Sequence, residues 1–217
     1  MSGPRVLVSG ELSGRQRYRL LTSLVVPRPI GWIGTRAADG SANLAPFSYF
    51  NGLSASPMLV GASVGRRRAG PGGPVEAKDT LRNVEEAGAF SVSVVSERHL
   101  EAMVRTSGDW PRGTSEFEVA GLGMAECETV AAPYVADAPA VLECRLFRIV
   151  DLGEAPNTLV IGEVLGLRLG PELRVDPETL HVDVESLRPV GRLGLDEYTL
   201  LGELRHLPRP VVPPAGD

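Results

Sequence analysis

At 217 residues the chain has room for one large domain or two small ones, and its 43% hydrophobic and 23% charged content suits a folded globular protein and excludes a disordered one. Lys plus Arg number 22 against 27 Asp plus Glu, a net charge of −5, which argues against a nucleic-acid binder with its usual basic surface. The two cysteines, Cys127 and Cys144, form no CxxC, so neither a zinc site nor a disulfide framework is expected, and no metal site is assigned.

Taken in chain order, Met1–Ser13 lacks the apolar core of a signal peptide. The apolar stretch Leu20–Ile33 is broken by Pro27, Arg28 and Pro29, and no run reaches the ~18 apolar residues of a membrane span. The expected compartment is the cytoplasm. Residues 29–35 read as a short strand and Asn43–Asn51 as a second extended run. Asp39-Gly40 between them is a hairpin signal, since both positions tolerate positive φ. Met58–Val64 reads as a third strand and Gly65–Glu76 as a Gly/Pro/Arg loop.

Residues 78–88 predict a short helix capped by Asp79 or Thr80 and ended by Gly88, with Leu81 and Val84 inward. Ala89–Val95 alternates as a half-buried strand, with Phe90, Val92 and Val94 opposite Ser91 and Ser93. Ser96 is expected to cap a helix carrying Leu100, Met103 and Val104, and His99 on that helix to lie at the surface. Ser107–Gly123 is turn-rich and holds Trp110.

Val141–Ile149 alternates again, Leu142, Cys144 and Leu146 against Glu143 and Arg145. Thr158–Leu169 is a long apolar run whose Gly162 and Gly166 suit a bulge or a crowding neighbour. Two long late strands beside four short early ones favour a closed or half-closed antiparallel barrel, and 25 glycines with 18 prolines fit a β-rich, turn-rich chain. Residues 206–217, with four prolines, read as a tail. The expected division is an arm over 1–17, one domain over 18–205 and the tail.

Four groupings carry possible chemistry. Residues 43–54 set small polar groups among aromatic ones; they fit a flat heteroaromatic ligand, or simply a strand entering a polar turn. Lys78-Asp79-Thr80 at a helix start could bind phosphate, or be a plain helix cap. Arg66-Arg67-Arg68 could reach a phosphate, or be an exposed loop. Arg188–Tyr198, with His181 upstream, could close over a site, or be a loop near the chain end. No GxSxG, HExxH or Walker A sequence is present. Both cysteines sit in or near apolar strands, where a buried structural thiol is the commoner case.

In order, Val26-Pro27-Arg28-Pro29-Ile30-Gly31-Trp32, Asn43–Asn51, Lys78–Asn83, Glu116–Leu122, Leu142-Glu143-Cys144 and Pro189–Gly194 resemble the flavin reductase-like family of FMN-binding split barrels, in its flavoredoxin-like branch. The resemblance covers about Tyr18 to Arg205. It implies a mainly β fold with short helices, a six-stranded antiparallel split barrel binding FMN non-covalently, commonly as a homodimer.

The same resemblance implies that Asn43, Pro46, Phe47 and Ser48 line the flavin and that Asn51 lies near its ribityl chain or phosphate. Ser63, Lys78 and Thr80 would hold the phosphate, Asp79 would shape the turn, and Arg67 would be a weaker phosphate ligand. Trp110, His181, Arg192 and Tyr198 match family-like segments, with His181 and Arg192 placed near the cofactor. NADH or NADPH would pass hydride to the flavin with no catalytic side chain, and an acceptor flavoenzyme or redox protein would be a partner. The alternative is an FMN-binding electron carrier, or flavin-holding protein, without its own NAD(P)H activity.

Overall fold

The structure is a computed structural model that describes residues 5–68, 75–111, 113–153 and 157–211, with backbone only for residues 67 and 68. The chain opens with α1 (Gly14–Leu24), β1 (Arg28–Pro29), β2 (Gly31–Arg36), β3 (Ala42–Phe47), β4 (Phe50–Ala55), β5 (Met58–Arg68) and β6 (Val75–Ala77). Next come α2 (Asp79–Ala87), β7 (Ala89–Val94), α3 (Leu100–Thr106), α4 (Glu116–Ala120), β8 (Met124–Glu126) and β9 (Pro133–Val135). It ends with β10 (Ala140–Asp151), β11 (Asn157–Leu169), α5 (Val184–Leu187), β12 (Gly191–Arg192) and β13 (Tyr198–Thr199).

One antiparallel sheet dominates, in the order β3-β2-β7-β10-β11-β5-β4, with β6 added to β5. Its two ends, β3 and β4, are joined by Ser48 and Tyr49 alone, a link that spans at most about 11 Å. The sheet must therefore curl until its ends nearly meet, which makes the half-closed barrel. The sheet counts eight strands where six were implied, one of them the three-residue β6. Two small sheets, β1-β12-β13 and β8-β9, lie outside it.

The barrel is filled by Ile33, Phe47, Val64, Leu81, Val84, Phe90, Val92 and Val160. A second cluster of Trp32, Leu44, Met103, Phe117, Tyr134 and Val141 lies against the other face of the same strands. Neighbours in sequence, Trp32 and Ile33, belong to different clusters, as the two-residue period of a strand requires. This double cover corrects the half-buried reading of β7. Ser91 and Ser93 are fully buried, because Ser91 Oγ donates to the Pro133 carbonyl (2.5 Å) and Ser93 Oγ accepts the Val135 amide (3.2 Å) from β9. Paired hydroxyls tolerate burial.

Several expectations for local structure are met. Gly40 (φ 86°) turns the β2–β3 hairpin, and Gly88 (φ 65°) ends α2. Gly162 is crowded, since a Cβ there would stand 2.3 Å from the Phe90 ring. The β10–β11 register slips between Glu143 and Cys144 and between Leu146 and Arg148.

Other expectations need correction. The run 43–51 breaks at Ser48–Tyr49. Of the loop expected over Gly65–Glu76, residues 65–68 belong to β5 and residues 75–76 to β6, paired from Arg66 with Ala77 to Arg68 with Val75, and the expected loop residues 69–74 lie outside the described residues. Helix α1 begins at Gly14 through a capping box, with Gln16 N on Ser13 Oγ (3.3 Å) and Ser13 N on Gln16 Oε1 (2.8 Å), so it crosses the expected boundary at residue 17. The turn-rich stretch contains α4.

His99 is buried rather than at the surface: Ser96 Oγ meets its Nδ1 (2.9 Å), Asp137 Oδ2 its Nε2 (3.1 Å), and Trp32 packs beside it. No helix among the described residues is long and apolar enough to cross a membrane.

Candidate functional site

Strand β3, the first turn of α2, the turn after α3 and the start of α4 enclose a cleft. Asn43, Pro46 and Phe47 form one wall, Lys78, Asp79 and Thr80 another, and Trp110 and Glu116 complete it. The sequence builds the α2 wall simply. Lys78 is the N-cap, in extended conformation, and its side chain makes no capping bond. Neither Asp79 nor Thr80 caps the helix, contrary to expectation. The amides of the first turn are thus left without a side-chain cap, and the helix dipole adds partial positive charge there.

Thr80 is buried, and its Oγ1 accepts the Asn43 side-chain amide (3.1 Å), leaving its own proton to donate. Asp79 is engaged by Arg82 (2.8 Å). Glu116 accepts the Leu44 backbone amide at Oε2 (2.9 Å). Burial pushes its carboxyl above the usual range and the nearby Asp79 charge adds to this, while the Leu44 amide and its own amide oppose it. The donors of the α2 turn, with the Lys78 ammonium, suit an anionic oxygen group. Of the three acids lining the cleft, Asp79 is bonded to Arg82, Glu116 is shifted toward its neutral form, and Asp109 is exposed, where solvent screens its charge. The phosphate end of FMN therefore fits these residues.

A second cleft adjoins the first, sharing Pro46 and Ser107 with it. Tyr18 of α1, Arg28, Ser48, Arg192 and Tyr198 line it. The Arg192 guanidinium lies 4.4 Å from the centre of the Tyr198 ring and bonds its hydroxyl.

The structure brings Asn43, Pro46, Phe47, Lys78, Asp79, Thr80 and Trp110 to the first cleft, although the Phe47 ring is mostly buried in the barrel core. It brings Ser48, Arg192 and Tyr198 to the second. Asn51 and Ser63 sit on the β4–β5 hairpin, outside both clefts. Asn51 Oδ1 accepts the Gly52 amide (2.9 Å), and the Ser63 amide donates to the Tyr49 carbonyl (2.8 Å). His181 is exposed in the loop before α5, where its carbonyl accepts the Asp176 amide (2.9 Å). The side chain of Arg67 lies outside the described residues.

Glu116 and Arg28 are the site residues that sequence reasoning passed over. Glu116 stood inside a quoted segment, but a carboxylate in a short amphipathic turn carries no sign of burial. Arg28 did carry a signal: a lone charge between two prolines in an apolar run. Both cysteines are free, and burial pushes the Cys127 thiol up to about 12 and Cys144 higher still, so neither is a ready nucleophile. No cluster of metal-ligating side chains occurs among the described residues.

Residues 23–184 match the family model described as flavin reductase like domain. An uncharacterized protein of Halalkalibacterium halodurans is 39% identical over 205 residues, 93% of this chain and 94% of that protein. Nitrilotriacetate monooxygenase component B from Bacillus cereus superposes with a TM-score of 0.87 at 32% identity, covering 95% of this chain and 100% of that one. Pseudomonas fluorescens 2-nitrobenzoate 2-nitroreductase superposes with a TM-score of 0.85 at 33% identity, covering 98% and 100%.

Proposed function

The chain belongs to the flavin reductase-like domain family of flavin-linked oxidoreductases, and from that premise we propose that it binds FMN non-covalently and transfers hydride to it from NADH or NADPH. The observation that supports a phosphorylated flavin such as FMN over riboflavin is the uncapped first turn of α2 beside Lys78 and Thr80, a set of donors that suits a phosphate.

When bound, FMN supplies the redox chemistry, accepting two electrons and a proton from the nicotinamide and handing electrons on. The protein's part is binding and orientation. Lys78, Thr80 and the α2 amides anchor the phosphate. Asn43 holds the Thr80 hydroxyl in place for that contact. Pro46 and Trp110 offer apolar surface to a flat ring and keep water from it. Ser48 and Arg192 face the ring edge from the second cleft. Asn51, Ser63 and His181 enter the proposal only in a homodimer, whose second subunit would extend the site.

The Bacillus cereus relative is named as one component of a monooxygenase, so transfer of reduced flavin to a separate oxygenase is the proposed onward step. The test is anaerobic. Protein loaded with FMN is mixed with NADH or NADPH, and bleaching of the flavin band is followed. Bleaching at a rate above free FMN supports the reductase. A bound flavin that stays oxidised under both nucleotides but bleaches with dithionite removes it and leaves a carrier.

A further inference from the structure

Arg28 and Arg192 stand directly opposite one another on the β1–β12 ladder, so their side chains leave the same face, and both line the second cleft. Like charges in directly opposed positions destabilise a sheet. Arg28 is also 95% buried, being 5% exposed. Its Nη1 donates to the carbonyls of Thr22 (2.6 Å) and Val25 (2.7 Å) and its Nη2 to that of Leu193 (2.8 Å), while its Nε has no partner. These carbonyls solvate the guanidinium without neutralising it. Among the described residues no carboxylate forms an ion pair with Arg28, and the nearest to Arg192 is the fully exposed Asp196 at 4.0 Å. A buried cation without a counter-charge is costly. A fold that holds this buried cation directly opposite a half-buried arginine, whose only carboxylate partner among the described residues is fully exposed, at the wall of an open cleft is poised for an anion from outside.

We propose that the second cleft is a subsite for an anionic group, a carboxylate or a phosphate, on the molecule that exchanges electrons with the flavin, and that Arg28 and Arg192 hold it. The proposal rests on the flavin reading for the neighbouring cleft, which shares Pro46 and Ser107 with this one. The chemistry of recognition is a planar guanidinium meeting a planar carboxylate, or the equivalent oxygens of a phosphate. Tyr198 stacks on Arg192 and fixes it for that contact. The two sources of such an anion are a small aromatic acid that takes electrons and the phosphates of a nicotinamide dinucleotide.

The experiment titrates benzoate, benzyl alcohol and inorganic phosphate into protein held at saturating FMN, reading the perturbation of the flavin band and the heat of binding. Benzoate is expected to bind at least tenfold tighter than benzyl alcohol. Arg192→Gln is expected to weaken benzoate about tenfold or more and to leave benzyl alcohol within twofold, with Arg192→Lys recovering part of the loss. If benzoate is indifferent to Arg192 but the KM for NADPH rises about tenfold in Arg192→Gln, the anion is the dinucleotide's phosphate and the subsite stands. If benzoate, phosphate and nucleotide binding are all indifferent to Arg192→Gln and to Arg28→Lys, the subsite is overturned. Calorimetry on flavin-free protein repeats the comparison for any variant that does not retain FMN. Arginine-dependent benzoate binding in a protein that takes no flavin would overturn the flavin reading alone. Flavin binding without arginine dependence would overturn the subsite alone.

Discussion

The side-chain amide of Asn43 donates to the hydroxyl of Thr80 over 3.1 Å, tying β3 to the first turn of α2. That bond sets where the uncapped helix amides stand relative to the wall formed by Pro46. It also orients the Thr80 hydroxyl as a donor. Thr80→Val keeps the shape and removes the hydroxyl. FMN affinity measured by fluorescence quenching is expected to fall about tenfold, the worth of one bond to a charged acceptor, with riboflavin affinity within twofold. Equal losses for both ligands would detach Thr80 from the phosphate.

Glu116 should make stability depend on pH in an unusual direction. Burial raises its folded-state pKa above 4.5, so folding favours the protonated acid. Its contribution is fully present below about pH 4.5 and is lost as pH rises through the higher folded value. Urea unfolding of wild type and Glu116→Gln between pH 4 and 7 is expected to show the wild type losing ground to the variant as pH rises. A difference that is flat or of opposite slope would contradict this.

Glu143 should behave the other way. Burial alone would raise it, but the Thr129 hydroxyl (2.7 Å), the Thr129 amide (2.6 Å) and the Glu128 amide (3.0 Å) outweigh burial and hold it below 4.5. Its stabilisation is present above that value and is lost as pH falls through the depressed one. Glu143→Gln is expected to cost about 2 kcal/mol at pH 7 and progressively less below pH 4.5, as read by urea midpoints.

Gly162 is fixed by its neighbour and not by its own backbone. A Cβ there meets the Phe90 ring at 2.3 Å and Cys144 Cβ at 3.1 Å. Gly162→Ala is expected to cost about 1–3 kcal/mol, and Phe90→Leu on that background to recover part of it. Thermal midpoints of the two variants check this. A neutral Gly162→Ala would contradict the tight contact between Gly162 and the Phe90 ring.

Much of the fold was legible because its signals are local. Asp39-Gly40 marks the first hairpin, Gly88 ends α2, and the glycines of residues 158–169 mark where β11 is crowded or out of register. What stayed hidden depends on tertiary partners. Ser91 and Ser93 read as a solvent face, since nothing near them in sequence announces the Pro133 carbonyl or the Val135 amide that accompany them in the core. His99 read as exposed for the same reason, its acid partner Asp137 lying 38 residues on. The Ser13–Gln16 capping box was legible and went unread. The cleft lined by Asn43, Pro46 and Lys78–Thr80 was legible as an ordered set of motifs. Glu116 was not, because its role comes from burial against the distant Leu44 amide, and the lone charge of Arg28 between two prolines marked the residue without revealing the Thr22, Val25 and Leu193 carbonyls that hold it.

The phosphate grip at the start of α2 is tested most directly by titrating FMN and riboflavin into flavin-free wild type and into Lys78→Ala/Thr80→Ala. The expected result is a wild type that binds FMN far more tightly than riboflavin and a double variant in which most of that preference is gone, riboflavin binding being little changed. A wild type that does not distinguish the two flavins, or a double variant that keeps the full preference, would contradict it.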